Sequence, residues 1–193
     1  MYHNITGSIE IKTTNPNYEW DMLEQLEINQ EKDVNMFKMK RRSDNKRSLM
    51  KSLKDQDESV LNSVNEANLL AYLDCNEIIK CEEVYHYNNK FYIMLEDMDQ
   101  GRITDILSTQ NFQGSEVYSE DFCKYSLWKV AMGLLKLHRS NILHRDIRSD
   151  RIHCSADGQI KISDLGCFSI ITEKNNKRST PRSSPNWTAP EIA

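Results

Sequence analysis

The chain has 193 residues, 38% hydrophobic and 28% charged, and carries a formal net charge of −4. That length holds one ordinary core or two small lobes sharing one, and the composition is that of a globular chain. The net negative charge speaks against a nucleic-acid partner, and no stretch approaches the roughly 18 apolar residues of a membrane span, so no membrane role and a cytoplasmic or nuclear address are expected.

Residues 1–17 are polar and patternless and read as a flexible N-terminus. "YEWDMLEQLEI" and "VNMFKM", either side of the turn-like "NQEKD", have the apolar and aromatic content of a two-strand hairpin. Eight basic residues then fall between Lys38 and Lys54 with little apolar periodicity, which predicts an exposed basic insert over 40–58. From Val60 the pattern is helical, with Leu61, Val64, Ala67, Leu70, Ala71 and Leu73 on the repeat. "EEVYHY" and "KFYIMLE" read as strands joined at Asn88-Asn89. Residues 121–141 read as a long helix whose apolar stripe, widened by Trp128 and Met132, needs cover on more than one side. "RIHCSADGQIKISDLG" reads as a hairpin turning at Asp157-Gly158, followed by a Ser/Asn/Lys/Arg-rich loop and "NWTAPEIA". The five cysteines include no C-x-x-C pair, which favours reduced thiols over a disulfide framework or a zinc site.

Three short motifs carry chemistry: His144-Arg145-Asp146, Asp164-Leu165-Gly166 and Ala189-Pro190-Glu191, in that order, with a hairpin between the first two and a polar loop between the last two. They match the order H-R-D, D-F-G, A-P-E. The chain therefore resembles a eukaryotic protein kinase, and "HRDIRSD", "DGQIKISDLG", "ITEKNNKRST" and "TAPE" resemble the PAK type, the kinases activated by Rho-family GTPases. "NEANLLAYLDCNEII" and "FYIMLEDMDQGRITDIL" extend that resemblance to the regulatory helix and hinge. It covers residues 60–193 well and 18–59 poorly.

The resemblance implies an α+β, two-lobe kinase-like fold. Residues 18–97 would form a small β-rich N-lobe with one regulatory helix, and 98–193 a partial, mainly helical C-lobe. It also implies ATP and Mg²⁺ as cofactors. Phosphoryl transfer is mostly positioning and charge neutralisation, so such a site needs a carboxylate for the substrate hydroxyl, metal ligands, and cations over the phosphates. Asp146 matches the carboxylate and Asp164 the Mg²⁺ ligand. Arg148 matches the catalytic-loop lysine, and Glu66 the glutamate that holds the strand lysine. Leu95, Glu96 and Met98 fall at the gatekeeper and hinge, and His153 falls on the floor under adenine. Thr180 matches the activation phosphosite, whose phosphate would pair with Arg145.

The departures are as specific. No glycine occurs between Gly7 and Gly101, so the phosphate lid is missing, and the segment ahead of "VNMFKM" reads as several residues shorter than the family's lid. The strand lysine is open between two registers, one placing Phe37 and the other Lys38 in its slot; the two face opposite sides of a strand. Arg151 stands where the family has a metal-ligating Asn, losing an oxygen and adding a fixed positive charge. It either points away from the metal or pairs with Asp164 and fills the metal's place. Leu165 for Phe is tolerable, and Ser183-Ser184 stand where the family has Gly-Thr. The chain stops two residues after Glu191, ahead of the helices that would cover helix 121–141, so a protein partner covering the incomplete C-lobe is expected. These features favour a pseudokinase or strongly impaired kinase acting as a binding module with kinase-pathway proteins. The alternatives are an active Ser/Thr kinase and an unstable fragment.

Overall fold

The computed structural model describes residues 9–29, 34–55, 58–108, 119–172, 185–187 and 189–190. They divide into two compact units: residues up to Asp74 with Ile79–Asp97, and Cys75–Ile78 with the residues from Met98 onward. Each is described on its own.

The first unit is built on β1 (Ile11–Lys12), β2 (Trp20–Asn29), β3 (Val34–Arg41), β4 (Arg47–Lys54), β5 (Cys81–Tyr87) and β6 (Lys90–Glu96), which form one sheet in the order β1-β5-β6-β4-β3-β2. The expected hairpin is β2 (Trp20–Asn29) and β3 (Val34–Arg41), antiparallel with two register shifts. β5 (Cys81–Tyr87) and β6 (Lys90–Glu96) are joined where the sequence places the turn, and both Asn88 and Asn89 have positive φ, as a two-residue hairpin turn requires. Helix α1 (Glu58–Tyr72) packs on β4, β5 and β6. Its buried face is Val60, Ser63, Glu66, Ala67, Leu69, Leu70 and Leu73, whereas Leu61 and Ala71, expected on the apolar stripe, are exposed.

The basic insert expected over 40–58 is mostly not a loop. Residues Arg47–Lys54 form β4, which pairs with β3 on one side and β6 on the other; a tight turn follows Arg41. The turn is closed by Asn45 at φ 61 and by the Asp44 carboxylate, which accepts from the Lys46 N–H. The strand alternates after all, because Ser48, Met50 and Ser52, all buried, share one face. A small hydroxyl residue packs in a central strand as an apolar residue would, and a hydrophobicity pattern does not register it. β4 is preceded by the β2–β3 hairpin, with strands of ten and eight residues. The core of this sheet gathers Trp20, Met39, Met50, Tyr85 and Met94.

The segment expected to be structureless also contributes: residues Ile11–Lys12 form β1, parallel to β5, and a 3-10 turn at Pro16–Tyr18, capped by the Asn15 side chain, leads into β2.

The second unit carries β7 (Gly101–Arg102), α2 (Ile103–Ser108), α3 (Glu120–Arg139), β8 (Ile142–Leu143), β9 (Ile152–Cys154), β10 (Ile160–Ile162) and β11 (Ser169–Ile170). Its strands form two small sheets, β10-β9-β7 and β11-β8. Ser119 caps α3 by accepting from the Phe122 N–H. A Cβ at Gly133 would meet Ile162 Cδ1 at 2.8 Å and the Glu77 carbonyl at 3.2 Å, so α3 approaches β10 as closely as a bare Cα allows. Only Ser126, Gly133 and Leu137 of α3 are fully buried; Leu127, Trp128, Met132 and Leu135 of the expected apolar stripe are exposed. The tight loop Asp157-Gly158 joins β9 to β10 as expected, with Gly158 at φ 82.

Candidate active-site residues

In the first unit, Lys51 on β4 lies with its Nζ 3.6 Å from Glu66 Oε2 on α1. Both side chains are mostly shielded from water, so the pair is screened less than a surface ion pair. Lys51 is held there by register, opposite Met36 on β3 and Ile93 on β6. Neither residue offered for the lysine slot by the sequence reading occupies it. Phe37 packs against the sheet core, and Lys38 forms a cross-strand ion pair with Glu24 at 3.5 Å, with 40% and 60% of the two side chains exposed. Leu95 and Glu96 lie at the end of β6, opposite Leu49 and Ser48; the Glu96 carboxylate accepts from the Lys80 N–H.

In the second unit, β8 delivers the chain into a loop, residues 144–148, and a 3-10 turn at Ser149–Arg151. His144 is buried, and its ring roles follow from its neighbours. Nε2 faces the Ser163 carbonyl at 3.0 Å and must donate, while Nδ1 faces the Asp146 N–H at 3.3 Å and must accept. Only the neutral imidazole does both. Burial accordingly holds its pKa below the usual value. Arg145 and Asp164 both have left-handed backbones, φ 72 and 57, a conformation that costs a non-glycine residue about 1 kcal/mol or more and that clusters at functional sites. Asp164 is steadied there by accepting from the Gly166 N–H.

Arg151 connects the two acidic motifs. Its carbonyl accepts from the Ser163 N–H at 2.8 Å, which pins its backbone beside Asp164. Its Nη1 lies 2.5 Å from Asp164 Oδ2, and its Nε and Nη2 each lie 3.2 Å from Asp146 Oδ2. Of the two orientations the sequence leaves open, this is the inward one, extended to a second carboxylate. Asp146 is 8% exposed and Asp164 39%. Arg148 lies 3.5 Å from Asp146 and 3.1 Å from Asp150, so it serves the same acidic cluster. At about 4 Å, each opposite-charge contact is worth roughly 4 kcal/mol before desolvation, at an effective dielectric near 20.

Met98 is buried at the start of this unit, its carbonyl accepting from the Gly101 N–H at 2.8 Å. His153 sits on β9 between Arg102 and Lys161 in register. Burial, reinforced by the charge of Arg102, pushes its pKa down to about 4. Because the unfolded chain takes up that proton near pH 6.5 and the folded chain does not, stability is fully present above pH 6.5 and is lost as pH falls towards 4. The contribution is up to roughly 3 kcal/mol. His153→Leu should flatten the dependence of melting temperature on pH between 4.5 and 7, leaving the smaller slope due to His144; an unchanged slope would mean that His153 is not held neutral. Thr180, Ser183, Ser184 and Glu191 lie outside the described residues.

The protein kinase domain family matches residues 33–193. This chain belongs to the protein kinase family. Among curated proteins it is 32% identical over 129 residues to the serine/threonine-protein kinase CLA4 of Candida albicans, and 34% identical over 137 residues to SKM1 of Saccharomyces cerevisiae. It is 30% identical over 129 residues to pakA of Talaromyces marneffei. These matches take in 61%, 69% and 67% of the chain but 13%, 20% and 19% of the relatives, so the chain spans a fifth or less of their length. The family is of the PAK/STE20 type, as the motifs imply.

The family's signature pairs a strand lysine with a helix glutamate, and Lys51 with Glu66 has that arrangement. The signal was available: "SLMK" carries an apolar pair directly before the lysine, as V-A-I-K does, but Ser in place of the first Val and the surrounding basic residues hide it. Metal fits less well. A hard divalent cation needs oxygen ligands, yet Arg151 occupies the Asn slot with donors only and already binds the Asp164 oxygen. Among the described residues no group of three or more His, Cys, Asp or Glu side chains could hold an ion. The residues present do not fit the family's Mg²⁺ site.

Proposed function

We propose that this chain is a PAK/STE20-like kinase module in which phosphoryl transfer is lost or strongly impaired, and which works by binding other proteins of a kinase pathway. The observation that carries this reading is the Arg151 guanidinium lying across Asp146 and Asp164. A working site needs Asp146 free to accept the substrate proton and Asp164 free for a cation, and here one fixed positive charge engages both. The absence of any glycine between Gly7 and Gly101 adds to it, because glycine is what lets a loop bring its backbone N–H groups close over phosphates. ATP would be met at the Lys51–Glu66 pair without a glycine lid. Thr180 and Arg145 are proposed as a retained phosphorylation switch, the exposed apolar side of α3 as a surface for a protein partner, and the cytoplasm as the location.

A second reading, an active Ser/Thr kinase, has the Lys51–Glu66 pair and both aspartates in its favour. Radiolabel transfer from ATP to a basic protein substrate, with Mg²⁺ or Mn²⁺, separates the two. The impaired reading expects no more label from the chain than from its Asp146→Asn variant. Transfer that disappears in Asp146→Asn would establish the active reading instead.

A further inference from the structure

Two of the polar contacts of helix α1 lie on different sides of it. Glu66 reaches Lys51 on β4, near the middle of the sheet. Two residues further on, Asn68 Oδ1 accepts from the Ile9 N–H at 3.1 Å. Residues two apart on an α-helix are separated by about 200° around its axis, so the two contacts grip almost opposite flanks. Sheet order agrees: α1 packs on β4, β5 and β6, with Lys51 on β4 at one side and β1 beyond β5 at the other. The apolar face of α1 is compatible with small rotations about its axis, since packing of this kind is not directional. Two pins on opposite flanks are not.

The Ile9 end is anchored. β1 pairs in parallel with β5, Ile11 beside Val84 and Lys12 beside Tyr85. Lys12 Nζ lies 2.7 Å from Glu19, 3.3 Å from Glu83 and 3.3 Å from the Tyr85 hydroxyl, and 5.1 Å from the Tyr85 ring centroid. Burial opposes the charge on Lys12, but the Glu19 and Tyr85 hydrogen bonds and the Glu83 charge outweigh it and hold the ammonium above the ordinary lysine range. At the far end Trp20, fully buried, donates from Nε1 to Glu83 and to the Tyr85 hydroxyl, each at 3.1 Å. Residues 9–20 therefore run as a strap, fixed at Lys12 and Trp20, with its leading end on α1.

We infer that this strap is a positioning device: it sets the rotation of α1 and thereby the Lys51–Glu66 pair, so that whatever engages or releases residues 9–19 acts on Glu66. Asn68 and Lys12 act through Glu66. The inference rests on the first unit alone and stands whether or not the second transfers phosphate.

The test reads the pair itself. A water-soluble carbodiimide joins a carboxylate to an amine in direct contact, and mass spectrometry of the intact chain's digest counts the Lys51–Glu66 cross-link. Lys129 and Glu77 of the second unit, 2.9 Å apart, give an internal control. Asn68→Ala should lower the Lys51–Glu66 yield about fivefold and Lys12→Met about twofold, with Lys129–Glu77 unchanged. Asn68→Asp, which keeps an acceptor for the Ile9 N–H, should restore it. The inference is overturned by any of three results: no Lys51–Glu66 product in the unaltered chain, an unchanged yield in Asn68→Ala, or an equal fall at Lys129–Glu77, which would signal general loosening.

Discussion

Arg151→Asn is expected to lower the melting temperature in metal-free buffer by roughly 5–10 °C and to make it rise again with millimolar Mg²⁺, to which the unaltered chain is indifferent at matched ionic strength. The loss follows from what the guanidinium neutralises. Asp146 is almost fully buried, and of the cations beside it among the described residues Arg148, at 3.5 Å, remains once Arg151 is gone. Breaking one side of a buried pair costs about 3–5 kcal/mol, and the partial exposure of Asp164 reduces this to about 2–3 kcal/mol. The recovery follows from donor chemistry. Asn supplies a carbonyl oxygen beside an Asp164 carboxylate that no longer has a cation against it, and two hard oxygens with water are what Mg²⁺ accepts. Differential scanning fluorimetry with and without the ion reads both effects. A variant as stable as the parent would show that the bridging contacts contribute nothing to stability. A destabilised variant that ignores Mg²⁺ would show that the metal's place is lost for reasons other than Arg151.

The two acidic motifs were legible because each is local. Asp146 and Asp164 are identified by their immediate neighbours, and the hairpin β9–β10 between them has a turn at Asp157-Gly158 that sequence chemistry dictates. Glu66 was legible for a related reason, since a gapless helical repeat leaves one register. The lysine was not. Its strand is defined by buried Ser48 and Ser52 and interrupted by cations at 47, 51 and 54, so hydrophobicity alone reports a basic loop. What resolves it is pairing with β3 and β6, a long-range property that no window of residues contains. The strap escaped for the same reason: two residues of β-pairing and one side-chain acceptor on a helix 59 positions away leave no periodic trace. Arg151 is the intermediate case. Its chemistry could be read from the motif, but only geometry could choose between pointing away and bridging two carboxylates.

Trp20→Ala should remove about 3–5 kcal/mol of stability, the range for truncating a buried aromatic residue. The indole has no exposed surface, lies in the cluster with Met39, Met50, Tyr85 and Met94, and has the Arg41 guanidinium 4.7 Å over its ring. The change leaves a cavity in that cluster and also strips a donor from Glu83. Burial would raise the Glu83 pKa, but hydrogen bonds from Tyr85 and Trp20 and the Lys12 ammonium hold it below the usual carboxylate value. A group depressed in the folded state contributes stability above its unfolded pKa, here near 4.5, and loses it as pH falls through the lower folded value. Without the indole N–H the folded value moves back towards the unfolded one, so the acid limb of the stability curve should become shallower as well as lower. Trp20→Phe separates the two effects: it keeps most of the ring volume and loses the donor, so it should cost about 1–2 kcal/mol while flattening the acid limb as much as alanine does. Urea titrations between pH 3.5 and 7 measure both quantities. If Phe leaves the acid limb unchanged, the Trp20 hydrogen bond does not hold Glu83 down, and Tyr85 and Lys12 suffice to keep that end of the strap in place.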